Sequence, residues 1–337
     1  MNYFFHIGGV PVAENECMVS IVCMAYNHAE YIRSALDSFV SQNAPFLFEV
    51  VINDDASPDS TADIIREYER RYPDIIHPVY QSENQFSKGI NIENDILIPK
   101  ARGKYIAFCE GDDYWTDIDK LRLQVEWLES HPDYSACVHN SVVHYCDGSV
   151  PDRLQEPSHG DHDVDFAVIL RGMAHAYHPS SLMFRRSLAL DMPDYFTLAA
   201  QYGFDDYPMA LHLALNGRIR YIDRPMSFYR ARSNPSSWSS NVDGSYDKLR
   251  RFIVGQVEVL RALEGHVTGE KLTLVKHERL KREFELMYIE GRDSEQRRPP
   301  YRDILRTKPF SYRLNNFLKC TMPHLHRLYR KMRGYGE

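Results

Sequence analysis

The first half of the chain alternates short apolar runs with segments whose apolar residues recur at helical spacing. Four of these runs have the length of a strand, at residues 18–25, 48–52, 77–80 and 104–109. Between the first two runs, Ile32, Leu36 and Phe39 recur at the spacing of one helix face. Strands that alternate with helices are typical of a parallel sheet covered on both faces. The pattern therefore predicts an α/β fold.

Cap and turn residues set the expected helix boundaries. Asn27, with Glu30 three residues later, is typical of a helix N-cap. Ser57 followed by Pro58 predicts the start of a second helix. Further helices are expected at residues 91–101, 120–130, 207–215, 246–263 and 271–288.

Charge is distributed unevenly along the chain. Residues 297–337 carry eleven lysines and arginines but only two acids, so the net charge of −7 comes from the preceding residues. Leucines and phenylalanines are interleaved with these basic residues, which suits an anionic membrane surface or an acidic partner. A basic helix packed on the acidic main domain is an equally good interpretation. Nucleic acid ranks below both, because no recognised binding motif accompanies the charge.

The domain organisation is expected to comprise an N-terminal extension (1–17), a main domain (18–240), a helical extension (241–296) and a basic tail (297–337). With 43% hydrophobic and 26% charged residues, the composition is that of a globular protein. The first residues lack the basic segment of a secretory signal, so a cytoplasmic location is expected. The six cysteines form no C-x-x-C pair, which fits reduced, buried thiols without a chemical role.

Two acidic clusters fall at equivalent places, where predicted strands end. Asp54 and Asp55 follow the second strand, and Glu110, Asp112 and Asp113 follow the fourth. Ligands of open α/β sheets bind outside the carboxyl ends of the strands, so both clusters are expected to face one pocket. Carboxylates there suit a hard divalent cation, which in turn suits a diphosphate. The glycine-rich loops of dinucleotide oxidoreductases and P-loop NTPases are absent from the sequence.

Three segments together resemble the family 2 glycosyltransferases of the GT-A fold. They are VSIVCMAYNHAEYI (19–32), VVINDDASPDSTADII (50–65) and ARGKYIAFCEGDDYW (101–115), and the resemblance covers about residues 18–232. It implies a GT-A type, Rossmann-like, mixed and mostly parallel sheet flanked by helices, followed here by a C-terminal helical extension. It also implies an inverting enzyme that uses Mn²⁺ or Mg²⁺ and a nucleotide diphosphate sugar.

The resemblance assigns roles to residues of the donor site. Asp54 is expected to contact the base of the nucleotide, and Asp112 is expected to bind the metal ion. Glu110 occupies the first acidic position of the family's D-x-D region, where its side chain is one carbon longer than that of Asp. The remaining residues expected at the donor site are Ala25, Tyr26, Asn27, Asp55, Gly111 and Asp113.

The segment QYGFDDYPMALHLALNG (201–217) is similar to the acidic pair that opens a helix in the family. By this similarity Asp206 is the base that takes the acceptor proton, and Asp205 is the fallback assignment. An inverting displacement needs a base within about 3 Å of the attacking hydroxyl. Asp is also a favoured N-cap residue, so capping alone is the alternative.

Several weaker candidates complete the predicted site. Where relatives often have Tyr-Arg-x-His, this chain has Arg230 and Arg232, and either arginine could pair with the leaving diphosphate. The residues expected at the acceptor are Trp115, which could stack on a sugar or pack in the core, and Ser180 and Ser181. His175 and His178 have a spacing found in metal sites, but no carboxylate accompanies them, and we interpret the pair as incidental.

The sequence therefore predicts a metal-dependent inverting glycosyltransferase. The expected donor is a UDP-sugar, and the expected acceptor is a hydroxyl of a glycan or lipid-linked glycan at the cytoplasmic face of the cell membrane. The family's Q-x-x-R-W signature of processive synthases is absent, which favours transfer of a single sugar. A non-catalytic nucleotide-sugar binding or scaffold protein is the alternative, because Glu110 and Arg232 depart from the family's pattern.

Overall fold

A computed structural model describes residues 4–7, 10–13, 16–233, 246–322 and 325–326 of the chain. It divides into two units, Met1–Asp243 and Gly244–Glu337. The strands are β1 (Phe4–Ile7), β2 (Val10–Ala13), β3 (Cys17–Ala25), β4 (Leu47–Asp54), β5 (Ile76–Tyr80), β6 (Tyr105–Phe108), β7 (Tyr114–Trp115), β8 (Tyr134–Tyr145), β9 (Arg153–Leu154), β10 (His162–Asp163), β11 (Met183–Arg185) and β12 (Arg218–Ala231). The α-helices are α1 (Ile32–Val40), α2 (Thr61–Arg71), α3 (Lys120–Ser130), α4 (Phe166–Leu170), α5 (Asp194–Tyr202), α6 (Asp206–Asn216), α7 (Tyr246–Leu263), α8 (Gly269–Ile289), α9 (Tyr301–Thr307) and α10 (Phe310–Thr321).

One mixed sheet organises the first unit. Its main path has the strand order β10-β12-β8-β11-β6-β3-β4-β5, with β7 added beside β12 and β9 beside β8. Strands β6, β3, β4 and β5 are mutually parallel, and β12 is parallel to β8. Strand β11 is antiparallel to both of its neighbours. This is the predicted α/β architecture with a mixed, mostly parallel sheet.

The parallel strands are apolar because both of their faces are covered. In the centre of β3, Ile21 is fully buried, as are Val50 and Ile52 in β4. Helices α1 and α3 pack their apolar faces into the same cluster, with Phe39 and Leu121 among its members. Burial of this cluster removes apolar side chains from water and fixes the register of the strands. The carboxyl ends of β3, β4 and β6 are thereby held side by side.

The structure corrects three predicted helix boundaries. Helix α1 begins at Ile32 and α2 at Thr61, so Asn27 and Ser57 are not their N-caps. Both residues lie in loops, where the Asn27 N–H donates to Ser57 Oγ at 3.0 Å. The helix predicted at 91–101 is a π-helix, Ile92–Leu97, followed by a 3₁₀ turn, Ile98–Lys100. Pro99 supplies no N–H for a regular helix, which accounts for the tighter turn there.

The second unit consists of α7, α8 and the segments that follow them. Gln296 donates its side-chain amide to the carbonyl of Phe284 in α8, and Asn316 in α10 donates to the carbonyl of Asp293 and to Gln296. The border predicted at residue 297 therefore lies within continuous packing of this unit, while residues 327–337 lie outside the described part of the chain. Among the helices that the structure describes, none has the length and apolar character that crossing a membrane requires. All six cysteines are free, but the predicted burial holds only for Cys23, Cys109 and Cys137, since Cys146 is exposed and Cys17 and Cys320 are half-buried.

Candidate active site

The end of β4 places Asp54 at the rim of the sheet. Its side chain is buried, and Oδ2 accepts the N–H of Ser57 at 3.3 Å. Its Oδ1 atom is buried without a hydrogen-bond partner. A buried carboxylate oxygen without a partner costs free energy, so Asp54 is a candidate ligand-binding group.

Asp55 has a different role from its neighbour. Its Oδ1 accepts the N–H of Gln85 at 2.8 Å, and its Oδ2 accepts the N–H of Phe86 at 3.1 Å. Its own N–H donates to the carbonyl of Ala25 at 3.0 Å. Both carboxylate oxygens are thus occupied by backbone of the loop after β5. Asp55 orders the loops around the site, and direct donor contact by its side chain does not fit this placement.

The loops after β3 and β4 are joined by backbone-to-side-chain hydrogen bonds. Besides the bond from Asn27 to Ser57, the His28 N–H donates to Thr61 Oγ1 at 2.9 Å. Asn27 adopts a left-handed backbone with φ of 58°, a conformation that asparagine tolerates better than most residues. Tyr26 remains 39% exposed at the same rim. Ala25, Tyr26 and Asn27 therefore lie at the same end of the sheet as Asp54.

Gly111 brings the acidic loop after β6 against the end of β3. Its N–H donates to the carbonyl of Met24 at 2.9 Å. A Cβ atom at this position would lie 2.8 Å from Ile32 Cδ1 and 2.9 Å from His28 Nδ1. A side chain here would displace the ends of the Ile32 and His28 side chains, so close approach rather than the backbone angles favours glycine.

Asp112 and Asp113 are both buried but differ in their partners. Asp112 Oδ2 accepts the Ser233 hydroxyl at 2.6 Å and lies 3.8 Å from His28 Nε2, whereas its Oδ1 has no hydrogen-bond partner. Asp113 Oδ1 accepts the N–H of Arg230 at 2.9 Å, and Oδ2 lies 3.7 Å from His178 Nδ1. Asp113 Oδ2 likewise has no hydrogen-bond partner. Asp113 thus ties β12 to the acidic loop, and each of the two acids keeps one oxygen without a partner.

Asp205 and Asp206 lie at the start of helix α6, as predicted, but they differ in their partners and in their exposure. Asp205 Oδ2 accepts the side-chain amide of Asn91 at 2.8 Å, and the side chain of Asp205, the N-cap residue, makes no capping hydrogen bond to the helix. Asp206 is open to solvent, and its Oδ1 accepts the adjacent Tyr207 N–H at 2.7 Å. Of the pair, Asp206 is the more exposed residue.

The acids of the site are crowded, and their pKa values reflect this. Removal from water, followed by repulsion from Asp112, raises the pKa of Glu110 to about 8. Removal of the Asp206 carboxyl group from water, followed by the charge of Asp205, raises its pKa to about 6, although the residue as a whole is exposed. Burial and the nearby Asp205 hold the pKa of Glu93 well above its usual range. Glu110, Asp206, Asp205 and Glu93 are close enough to influence one another.

The two arginines predicted near the leaving group are placed differently. The guanidinium of Arg230 lies over the rings of Tyr31 and Tyr114, at 5.1 and 4.8 Å from their centroids, and donates to the carbonyl of Asp112. Arg232 instead donates to Asp147 Oδ2 at 2.7 Å and to Ser149 at 3.2 Å. Arg230 is therefore attached directly to the acidic loop, whereas Arg232 is engaged with the segment after β8.

The residues predicted to border the acceptor lie in the core. Trp115 is 4% exposed, packs edge-on against Phe39, and donates its indole N–H to the Ser180 carbonyl at 2.9 Å. The buried Ser180 hydroxyl bonds to Ser227, and the buried Ser181 hydroxyl bonds to the His178 carbonyl. Acceptor contact by these side chains does not fit this placement, because all three are removed from the surface and bonded internally.

The sequence-based prediction missed two groups of the site. Glu93 lies near Asp205, whose charge helps to raise the pKa of Glu93, and no sequence motif marks an acid in that segment. The pair His175 and His178 was interpreted as incidental, yet His178 faces Asp113 and stacks on Tyr229 with 3.7 Å between ring centroids. His175 is exposed. The sequence could not distinguish the two histidines, because the carboxylate that faces His178 comes from Asp113, which is distant in sequence.

The donor set suits a hard divalent cation in part. Asp112 Oδ1 is a buried carboxylate oxygen without a partner, which is the kind of group that Mg²⁺ and Mn²⁺ bind. Within the described part of the chain, no three His, Cys, Asp or Glu side chains are arranged to hold an ion by themselves. Such cations often take one or two protein carboxylates and complete their coordination with substrate phosphates. The residues therefore fit an ion that is bound together with a diphosphate.

Solved structures share this fold. S. aureus TarS 1-349 in complex with UDP-GlcNAc aligns with a TM-score of 0.58 at 16% identity, over 90% of this chain and 79% of that one. Mannosyltransferase PcManGT from Pyrobaculum calidifontis, in complex with GDP-Man and Mn²⁺, aligns with a TM-score of 0.55 at 19% identity, over 95% and 85% of the two chains. The curled, mostly parallel sheet flanked by helices is the fold of the GT-A glycosyltransferases.

Sequence comparison places the chain within one family of that class. The family model "Glycosyl transferase family 2" matches residues 20–190, just over half of the chain, and the chain belongs to this family. Rv1520, an uncharacterized protein of Mycobacterium tuberculosis, is 36% identical over 235 residues, which are 69% of this chain and 63% of Rv1520. WfaP of Escherichia coli, a UDP-Glc:alpha-D-GlcNAc-diphosphoundecaprenol beta-1,3-glucosyltransferase, is 33% identical over 113 residues, 34% of this chain and 42% of WfaP.

Proposed function

We propose that this protein is an inverting glycosyltransferase that moves a sugar from a nucleotide diphosphate donor to an acceptor hydroxyl. Family membership supports glycosyl transfer as the class of reaction. The observation that carries the proposal is the convergence of carboxylates from the end of β4, the loop after β6 and the start of α6. In this group, Asp54 and Asp112 each have a buried oxygen without a partner, and Asp206 is open to solvent.

The donor we propose is a UDP-sugar. Asp54 would contact the base, beside Ala25, Tyr26 and Asn27 at the end of β3. The names of two similar proteins support this choice, since WfaP uses UDP-Glc and TarS is described in complex with UDP-GlcNAc. Asp112 would hold Mn²⁺ or Mg²⁺, which would stabilise negative charge on the departing diphosphate. Arg230 donates to the carbonyl of Asp112 in the same loop, so of the two predicted arginines it is the one we expect near the diphosphate.

The proposed chemistry assigns proton transfer to Asp206. The acceptor oxygen attacks the anomeric carbon on the face opposite the diphosphate while Asp206 takes the proton of the hydroxyl. The bond between the anomeric carbon and the diphosphate oxygen breaks, and the diphosphate leaves with the electron pair. A pKa of about 6 keeps Asp206 ionised at neutral pH while it remains a stronger base than an ordinary aspartate.

The acceptor we propose is a glycan or lipid-linked glycan in surface polysaccharide synthesis, at the inner face of the cell membrane. Helix α10 supports peripheral contact, because it buries Asn316 and leaves Phe310 and Phe317 exposed by 70% and 39%. Residues 297–322 add seven lysines and arginines against one acid. An exposed apolar stripe beside basic side chains suits an anionic membrane surface.

Liposome flotation tests this membrane contact. We expect the protein to float with vesicles that contain anionic lipid, and we expect Phe310→Ser combined with Phe317→Ser to weaken flotation. Leu190→Ser is the matched control, because Leu190 is 60% exposed in the other unit. Equal flotation of both variants, or indifference to anionic lipid, would count against the contact.

A panel of nucleotide sugars with Mn²⁺ or Mg²⁺, with and without a chelator, tests the proposed activity. We expect sugar release or transfer from at least one donor, and we expect chelation to abolish it. The alternative is a non-catalytic nucleotide-sugar binding protein. It is favoured by Arg232, which donates to Asp147 and is therefore engaged elsewhere than at a leaving diphosphate. Metal-dependent UDP binding without turnover of any donor would favour that alternative and would overturn the proposed transfer.

A further inference from the structure

The end of β12 brings Ser233 against the acidic loop after β6. Strand β12 ends at Ala231, and the next residue, Arg232, has a positive φ of 58°. A bulky residue rarely adopts such a backbone, so it persists only where its surroundings hold it. Here the Arg232 guanidinium donates to Asp147 Oδ2 at 2.7 Å and to Ser149 Oγ at 3.2 Å. The turn that places Ser233 is therefore held by contacts of its neighbour.

Ser233 is itself fixed by two hydrogen bonds. Its hydroxyl donates to Asp112 Oδ2 at 2.6 Å, and its carbonyl accepts the Tyr31 hydroxyl at 2.8 Å. Ser233 and Asp112 are both buried. A hydrogen bond of this length from a hydroxyl to a carboxylate is charge-assisted and about twice as strong as one between neutral groups. The Ser233 hydroxyl is therefore a partner of the Asp112 carboxylate that the fold itself supplies.

The two carboxylate oxygens of Asp112 consequently differ as ligands. Oδ2 accepts the Ser233 hydroxyl and lies 3.8 Å from Nε2 of His28. Oδ1 is buried and has no hydrogen-bond partner among the described residues. Because a short hydrogen bond draws electron density from its acceptor, Oδ2 is the weaker ligand for a cation. Asp112 thus offers one strong ligand atom instead of two.

The number of oxygens that a carboxylate contributes affects which cation it binds. Ca²⁺ takes about six to eight oxygen ligands and accepts both oxygens of one carboxylate. Mg²⁺ is smaller and requires a near-ideal octahedron, in which the narrow angle between two oxygens of one carboxylate fits poorly. A carboxylate that binds through one oxygen therefore favours Mg²⁺ over Ca²⁺.

We propose that Ser233 is a positioning residue that determines the cation specificity of the site. Its hydroxyl engages Asp112 Oδ2, so that Asp112 binds the cation through Oδ1 alone and the site favours Mg²⁺ over Ca²⁺. The inference rests on the proposed function, in which Asp112 holds a cation together with the diphosphate of UDP. Tyr31 acts one step farther away, because its hydroxyl holds the Ser233 carbonyl. Removal of the Ser233 hydroxyl frees Oδ2 and permits binding through two oxygens, which Ca²⁺ accepts.

Three substitutions separate the hydroxyl from the rest of the structure. Ser233→Ala removes the hydroxyl, and Ser233→Thr keeps it. Ser20→Ala is the matched control, because the buried Ser20 hydroxyl also donates to a buried carboxylate at 2.6 Å, that of Glu49 near the amino end of β4. A cooperative thermal transition establishes that each variant folds.

Calorimetric titration with UDP, in saturating Mg²⁺ or in saturating Ca²⁺, measures the ratio of the two affinities. The wild type should bind UDP more tightly in Mg²⁺. We expect Ser233→Ala to shift this ratio towards Ca²⁺ by about tenfold, the effect of one hydrogen bond to a charged group. We expect Ser233→Thr and Ser20→Ala to keep the wild-type ratio within about twofold. An unchanged ratio in Ser233→Ala, or equal shifts in Ser233→Ala and Ser233→Thr, would overturn the proposal.

Tyr31→Phe provides a second test that leaves Ser233 in place. Loss of the hydroxyl that holds the Ser233 carbonyl should shift the ratio in the same direction by about threefold. A ratio that stays at the wild-type value would contradict the role of Tyr31, and it would overturn the whole proposal if Ser233→Ala does not fold.

Binding and turnover distinguish this inference from the proposed function. A wild type that binds UDP equally in Mg²⁺, in Ca²⁺ and with a chelator would overturn the inference, because the site would then select no cation. A wild type that binds UDP in Mg²⁺ in preference to Ca²⁺ but turns over no donor would overturn the proposed transfer, while the shift in Ser233→Ala would still decide the role of Ser233.

Discussion

Strand β4 carries one buried carboxylate near each end, and the two differ in their hydrogen-bond partners. Glu49 accepts the Ser20 hydroxyl at 2.6 Å and the N–H and Nε–H of Arg102 at 2.7 Å each. At the other end of the strand, Asp54 Oδ1 is buried without a partner. The same backbone thus supports a fully bonded acid at its amino end and an incompletely bonded acid at its carboxyl end.

The contrast extends to β6, two strands away from β4 in the sheet, and indicates what each edge of the sheet does. Near the amino end of β6, Glu129 accepts the Tyr105 hydroxyl at 2.8 Å and pairs with Lys104 at 2.6 Å. Beyond its carboxyl end, Glu110 lies among other acids, with a pKa raised to about 8 by burial and by Asp112. Acids that stabilise the fold have donors or cations built in. Acids of the candidate site would obtain a donor or a cation from a bound ligand.

The largest effect is expected for Asp206→Asn. Removal of the proposed base should lower kcat by about 10²–10⁴-fold, the range of general base catalysis, while donor binding is retained. Transfer assays beside titration of UDP binding check this expectation. Asp205→Asn should cost less, because Asp206 remains available, and unchanged turnover in Asp206→Asn would remove that residue from the mechanism.

Asp112→Asn should reduce metal-dependent donor binding. The amide cannot replace an anionic ligand, so we expect about a 10- to 100-fold weaker affinity for UDP in the presence of Mn²⁺. Calorimetric titration with and without metal measures this. Asp117→Asn serves as the control in the next loop, between β7 and α3, because Asp117 pairs with Arg224 at 2.5 Å. Equal affinities for Asp112→Asn and the wild type would contradict metal binding by Asp112.

Glu49→Gln should affect stability rather than activity. Loss of the charge on buried Glu49, whose partner Arg102 is 65% exposed, weakens its hydrogen bonds and should lower the free energy of unfolding by about 2 kcal/mol, as denaturant titration would report. Burial opposes ionisation of Glu49, but hydrogen bonds from Ser20 and Arg102 lower its pKa below the ordinary 4.5. Its contribution is therefore present above that value and is lost as the pH falls through the lower folded pKa. Glu49→Gln should flatten this acid-dependent loss.

Lys120 tests whether a buried charged group without a hydrogen-bond partner is enough to indicate a functional site. Its ammonium group is fully buried in the core without a hydrogen-bond partner, 3.9 Å from the Trp115 ring centroid. Burial lowers its pKa from 10.5 to about 7, so stability should rise as the pH increases between those values. Lys120→Met should remove this dependence, raise the free energy of unfolding at neutral pH by about 2 kcal/mol, and leave donor turnover unchanged. A loss of turnover with retained stability would assign Lys120 to the reaction.

The smallest effect concerns the pH dependence of the wild type. Asp206 must be ionised to accept a proton, and its pKa is raised to about 6 by its crowded surroundings and by Asp205. Below that pH, the rate should fall about tenfold per unit as the base becomes protonated, and above it the rate should level off. A pH–rate profile of kcat/KM at saturating metal checks this, and a rate that is independent of pH below about 6 would contradict the assignment.

Much of the fold follows from the sequence because apolar runs and helix faces are local patterns. Helix α3 has the predicted bounds, and the acids at 54 and 112 lie at strand ends as expected. Asn27 and Ser57 misled the cap assignments because they bond to each other across two loops. Glu93 could not be assigned, since Asp205, which lies near it, is distant in sequence. The burial of Trp115 likewise depends on Phe39 and Ser180, which only the fold brings to it.

Turnover and stability measured together in Asp206→Asn and Glu49→Gln test the central claim most directly. The account predicts opposite outcomes for the two acids. Asp206→Asn should lose turnover and keep its free energy of unfolding, whereas Glu49→Gln should lose free energy of unfolding and keep its turnover under conditions where it is folded. If Asp206→Asn unfolds more easily but still turns over the donor, the carboxyl edge of the sheet is structural and the proposed site is wrong.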